Sequence, residues 1–349
     1  MRLFLLPIST RRALIYCERP GVATPGHQVS LLDKATNKAN QTWANWEKPD
    51  NDAPWYRGGW KRSLTLHGNK VLRRIPYQEW GLKTIPALSG GRRQAELDGT
   101  DKVEVTFPGL FLKHDRVFPL LRQLATERQS LHRKRFWWSI VGMPISAPFA
   151  LIPIIPNIPF FYLVFRAYSH WKALSGSKHL EFLLKHNLIK PTPSAELDEA
   201  YAAGLIHSTR EDSRNSPPPT REHIEEVAKI VERQTNNGSE DVMVLQKWNG
   251  KLLAEKYHLP EMEVEIERAV EQVENSIKAK DELKEEKEEI EKSTSYGKDG
   301  HSERGVKKQC PARIGKAAEK TMTKVTIRET RGAQHRQANS DSAEQQQAE

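Results

Sequence analysis

Residues 136–165 form a run of thirty residues without one charge, bounded by Arg135 and Arg166 and interrupted by Pro144, Pro148, Pro153, Pro156 and Pro159. A straight helix of that length would measure about 45 Å, against about 30 Å for a bilayer's hydrocarbon core. Each proline removes a backbone donor and crowds the carbonyl four residues earlier, so the run must bend or break repeatedly. Pro156-Asn157-Ile158-Pro159 is its best turn. A membrane hairpin reversing at Asn157 accounts for the polar residue in mid-run, the prolines around it and the basic clusters at both outer ends, which then lie on one side. A single kinked span is the second reading and a soluble apolar core the third.

The outer ends of the run carry amphipathic rings and cations of the kind that settle at headgroup level. Arg135, Trp137, Trp138, Tyr162, Arg166, Tyr168, His170 and Trp171 are the expected interface anchors, with core aromatics as the plain alternative for the rings. Net charge is +9. Because residues 261–293 alone hold thirteen acids against six bases, the chain before them is more basic than the whole. An anionic lipid surface is the expected partner, together with a second copy or a partner membrane protein. Nucleic acid would feel the same charge, but no recognition motif accompanies it, and none is expected as a partner.

A mean hydropathy of -0.68 excludes a polytopic carrier. Cys17 and Cys310 stand alone, without a disulfide framework. The opening MRLFLLPISTRRALIYC has three arginines and no acid, as a mitochondrial presequence begins, yet its two apolar runs parted by a turn favour a β-hairpin with Pro7 on an edge strand.

Further along, residues 1–112 read as a small α+β domain, with strand-like runs in KRSLTLHG and KVEVTFPG and a helix over 31–46. An amphipathic helix fills 113–135, the membrane segment 136–168 and a helical region 169–210. A linker at 211–221 contains Pro217, Pro218 and Pro219. Charged helices occupy 222–293, and 294–349 is a tail too poor in apolar residues to order itself. Ile266, Val270, Val273 and Ile277 keep a coiled-coil 4-3-4 spacing that stops after about two heptads. The expected fold class is thus an α+β N-terminal region with a proline-rich membrane helical hairpin, followed by a mainly α-helical region and a disordered tail.

No catalytic or cofactor motif emerges. Twelve histidines include no HExxH and no Cys/His cluster at ligand spacing, and Gly90-Gly91 is followed by arginines rather than by Lys-Ser/Thr. His170, His179 and His186 are expected on a helix facing solvent or headgroups. No enzyme, cofactor or metal is expected.

Three blocks carry a resemblance: the opening MRLFLLPIS, RIPYQEWGLKTIP at 74–86, and SAPFALIPIIPNIPFFYLVFRAYSHWKALSGSKHLEFLL at 146–184. On these the chain resembles the mitochondrial potassium/proton exchange-related family. The resemblance implies an inner-membrane protein taking part in potassium/proton exchange as a component or accessory of the exchanger; the basic flanks at both ends of the run then place its soluble parts in one compartment, the matrix. It also implies that MRLFLLPIS is mature structure. A membrane-anchored scaffold without a transport role is the alternative.

Overall fold

The near-continuous apolar runs RLFLLP and ALIYCE are strands covered on both faces, which is why they lack the alternation of a half-exposed strand. In the computed structural model, which describes residues 1–18, 55–99, 103–146, 158–236 and 239–296 and the single positions 38, 41, 42, 45 and 148, they form β1 (Arg2–Pro7) and β2 (Ala13–Glu18). Helices α1 (Trp55–Arg73), α2 (Tyr77–Thr84) and α3 (Gly90–Leu97) lead to β3 (Val103–Phe107). Then come α4 (His114–Thr126), α5 (Gln129–Ser146), α6 (Ile158–Lys185) and β4 (Ile189–Pro193). The described chain ends with α7 (Ala195–Ile206), α8 (Arg210–Asn215), α9 (Arg221–Gln234), α10 (Asn249–Lys256) and α11 (Pro260–Tyr296).

The sheet order is β2-β1-β3-β4, antiparallel between β1 and β2 and parallel elsewhere. Leu3, Leu5, Ile15, Val105 and Phe107 face a layer built by α2, α4 and α6, through Leu82, Val117, Leu121, Ala173 and Leu183. Phe4, Leu6, Leu14 and Tyr16 face the other way, onto Tyr201, Leu253, Ile266, Val270 and Val273. The two-heptad stripe therefore packs into the core on this face of the sheet, where Ile266 also meets Gly250 of α10, and a coiled coil is not shown. Pro7 ends an inner strand beyond the β1–β3 pairing, which stops at Phe4, so its missing N–H costs no ladder bond there. The edges are β2 and β4, and Pro191 and Pro193 of β4 suit that place.

KRSLTLHG lies inside α1, while KVEVTFPG supplies β3 as expected. Most of 31–46 lies outside the described residues. The chain divides into two compact units at Lys284. Of the second, 285–291 are exposed helix.

The membrane hairpin of the expected fold class is corrected: among the described residues no helix is long and apolar enough to cross a membrane. The protein is mixed α/β, mainly helical, around a small four-stranded sheet. The described parts of the uncharged run belong mainly to two helices that each continue into charged sequence. In α5 it is 136–146, preceded by Arg133, Lys134 and Arg135; in α6 it is 158–165, followed by Arg166 and His170. At 1.5 Å per residue these pieces reach only about 16 and 12 Å. Pro144 lies within α5, Pro159 in the first turn of α6 where a missing N–H is tolerated, and Pro148 is exposed. Pro153, Pro156 and Asn157 lie outside the described residues.

One buried acid at the edge of this fold gives a direct test. Asp198 on α7 is 7% exposed and accepts the Leu110 N–H through Oδ1 at 2.9 Å. Burial pushes its carboxyl up to about 6, against the Leu110 hydrogen bond and the Arg221 charge. A raised carboxyl pKa means stability that is present below the unfolded value and is lost as pH rises through the folded one. Asp198→Asn keeps the acceptor and cannot ionise. Denaturant unfolding at pH 7 is expected to show the variant about 1–2 kcal/mol more stable, with the gain disappearing near pH 4. An equal difference at both pH values would contradict this.

Candidate functional site

Helical periodicity brings the chemistry together. On α2, Glu79 and Lys83 stand one turn apart; on α6, Arg166, Ser169 and His170 share a face at i, i+3 and i+4; α5 adds His132. Helix α6 approaches α2 closely at Gly176, where a Cβ would collide with the Leu82 carbonyl, and α2 approaches β2 at Gly81, where a Cβ would collide with the Ile15 carbonyl. That closeness seats α6 against α2 and lets a carboxylate and a guanidinium meet inside the protein.

Glu79 is 1% exposed and Arg166 is 8%. Arg166 donates Nη1–H to Glu79 Oε1 at 2.9 Å and Nη2–H to Oε2 at 3.2 Å, a bidentate pair. Ser169 Oγ–H donates to Glu79 Oε1 at 2.6 Å and in turn accepts from Lys83 Nζ at 3.0 Å. Arg166 Nη2 also donates to His170 Nε2 at 2.9 Å. Because arginine only donates, Nε2 carries no proton, and the proton of the neutral His170 ring is on Nδ1. That proton points at His132 Nδ1, 3.1 Å away. The proton of neutral His132 is then on Nε2, a buried atom without a hydrogen-bond partner among the described residues. Six side chains thus form one continuous path, Lys83–Ser169–Glu79–Arg166–His170–His132.

Burial works against the Glu79 charge, but the Ser169 hydrogen bond and the charge and hydrogen bonds of Arg166 outweigh it and hold the carboxyl below its usual range. Burial drives His170 down to about 4, aided by Arg166, His132 and Arg135 and opposed by Glu79. Burial likewise lowers His132. Both rings are neutral at physiological pH. Lys83 differs: burial takes its amine down to about 7, reinforced by Arg166 and Arg268 and opposed by Glu79 and Glu265. Its Nζ lies 3.1 Å from the Trp80 ring centroid and 5.8 Å from that of Phe165. Lys83 is the member of the path that changes charge in the neutral range.

Glu79, His132 and His170 each offer a ligand atom, all within 4.8 Å of one another, as a metal ion would need. Arg166 argues against that use. Its guanidinium occupies both carboxylate oxygens, and ligation through His170 Nδ1 would move the ring proton to Nε2, facing the Arg166 N–H donor against donor. The arrangement fits charge balance around a titrating amine better than metal binding.

Among the expected anchors, Arg135, Trp137, Trp138, Tyr162 and Trp171 are exposed and Tyr168 is half-buried against Trp171. Arg166 and His170 are inside, in the cluster just described. His179, also expected outside, is fully buried, bonded through Nδ1 to the Pro86 carbonyl and through Nε2 to Glu96; His186 is exposed. Glu79, Lys83, His132 and Ser169 were not picked out as site residues by sequence reasoning. The available signal was the Glu79–Lys83 spacing, a helical i,i+4 pair inside an apolar block.

A family model described as "Mitochondrial K+-H+ exchange-related" matches residues 2–184, a stretch that contains every member of the cluster. An uncharacterized protein of Schizosaccharomyces pombe is 27% identical over 205 residues, covering 57% of this chain and 82% of that one. An uncharacterized protein of Saccharomyces cerevisiae is 26% identical over 208 residues, covering 53% of this chain and 63% of its own length. No solved structure matches. With more than half of its length matched by the model, the chain belongs to the mitochondrial K+/H+ exchange-related family.

Proposed function

We propose that the protein takes part in potassium/proton exchange at the mitochondrial inner membrane, on its matrix side, as a component or accessory whose proton-responsive element is the Lys83–Ser169–Glu79–Arg166–His170–His132 path. The observation that carries this reading is a buried, hydrogen-bonded chain of ionisable side chains in which one amine titrates in the neutral range. Buried ionic groups are costly and concentrate where function uses them. In exchange linked to protons, gain of a proton at Lys83 adds a cation beside Arg166 and Arg268 and shifts the balance around Glu79. Family membership supports the exchange part of the reading and names the organelle.

The test is passive swelling of isolated mitochondria in potassium acetate. Mitochondria from cells lacking the protein are expected to swell several-fold more slowly than wild type, with recovery on re-expression of the full chain. Unchanged swelling would favour the scaffold alternative and remove the exchange role.

A further inference from the structure

We propose that the outer face of the α5–α6 pair docks on the surface of an anionic lipid bilayer, its rings at headgroup depth and the basic turn of α5 on lipid phosphates, with neither helix crossing the membrane. The inference goes beyond the exchange role by naming what holds the protein in place. Trp137 and Trp138 are 60% and 67% exposed, Ile145 72% and Phe161 64%; Val141 and Tyr162 are also open. Large apolar side chains left out together mark an interaction surface. His132 meets His170 and Gly142 faces Leu163, so the two helices run antiparallel and 141–145 of α5 are level with 160–164 of α6. The open side chains Val141 and Ile145 of α5 and Phe161 and Tyr162 of α6 therefore lie at one level of the pair.

Charge selects the occupant. Between Glu127 and Glu181 the chain has no acid and seven lysines and arginines. Arg133, Lys134 and Arg135 are exposed on the turn of α5 directly before the tryptophans. Tryptophan beside lysine and arginine matches the boundary between headgroup and acyl chain, where the indole N–H stays wet and its ring does not. A second copy would bring two such basic faces toward each other, which counts against self-association.

Sedimentation of the purified full chain with vesicles tests this, using phosphatidylcholine alone and phosphatidylcholine with about a quarter phosphatidylglycerol. Strong binding to the anionic vesicles, weakened by salt, and little to the neutral ones is expected. Replacing Arg133, Lys134 and Arg135 with glutamine removes three charges worth about fivefold each, so affinity falls about a hundredfold. Trp137→Ser with Trp138→Ser weakens binding to both vesicle types. All five positions are exposed, and circular dichroism checks that each variant keeps its helix content. Equal binding to both vesicles, absence of binding, or binding untouched by the substitutions would overturn the proposal. So would a concentration-dependent dimer lost in the tryptophan variant without vesicle binding, which would make this face an interface between copies. None of these results bears on potassium acetate swelling, so the docking surface and the exchange role fail separately.

Discussion

Glu79→Ala is expected to cost about 3–5 kcal/mol of folding stability, enough to unfold a marginal domain at body temperature. The loss comes from the groups left behind more than from the pair itself. Arg166, buried to 8% exposure, would keep its charge with no carboxylate to receive Nη1–H and Nη2–H, and Ser169 Oγ–H would lose its acceptor. The Lys83 amine would also lose the leading group that favours its charge. Removing both members of the pair with Glu79→Gln and Arg166→Met leaves no uncompensated charge, and most of the stability should return. Urea denaturation of Glu79→Gln, of Arg166→Met and of the double variant decides it. Additive losses would mean that Glu79 and Arg166 are not the pair described.

Gly176→Ala is expected to cost about 3 kcal/mol through geometry alone. Its Cβ would strike the Leu82 carbonyl and lie 3.3 Å from Ile85 Cβ, and backbone cannot rotate aside as a flexible side chain could. Helix α6 would have to move off α2, opening the core around Leu82, Ile85 and Ala173. The same shift pulls Arg166 and Ser169 away from Glu79, so the effect reaches the cluster. By contrast, Gly90 and Gly91 have nothing within 4 Å of an added Cβ, and alanine at Gly91, within α3, should be neutral or slightly stabilising. Thermal melts of both variants make the comparison; equal Tm values would show that the α2–α6 approach is looser than described.

How much of this was readable in advance depended on whether the signal was local. The β1–β2 hairpin was legible because two apolar runs flank a turn. The stripe of Ile266, Val270 and Val273 was legible as a buried helix face, but its partner was not, since a 4-3-4 spacing fits a sheet as well as a helix. KRSLTLHG misled because two leucines alternating with polar residues over so short a stretch fit a strand as well as a helix. The cluster was the least legible part. Arg166 pairs with a residue 87 positions away, and nothing in one sequence announces such a contact. Beside an uncharged run, Arg166 and His170 read as interface cations, whereas Glu79 turns them inward. The thirty-residue run itself gave the composition of a membrane segment, but its described parts belong to α5 and α6, and neither helix is both long and apolar enough to span.

The central claim is that a buried proton-titrating path serves potassium/proton exchange, and Lys83→Met tests it most directly. Methionine keeps an unbranched apolar side chain at this position and removes the amine of the path, which lies over Trp80 and changes charge near neutrality, relieving a buried cation instead of creating one, so folding should not suffer. The measurement is the rate of potassium acetate swelling at several matrix pH values around neutrality, in mitochondria with matched amounts of wild-type or variant protein. The account predicts that the pH dependence carried by the wild type flattens in the variant. A variant that swells with the wild-type rate and the wild-type pH profile would contradict it.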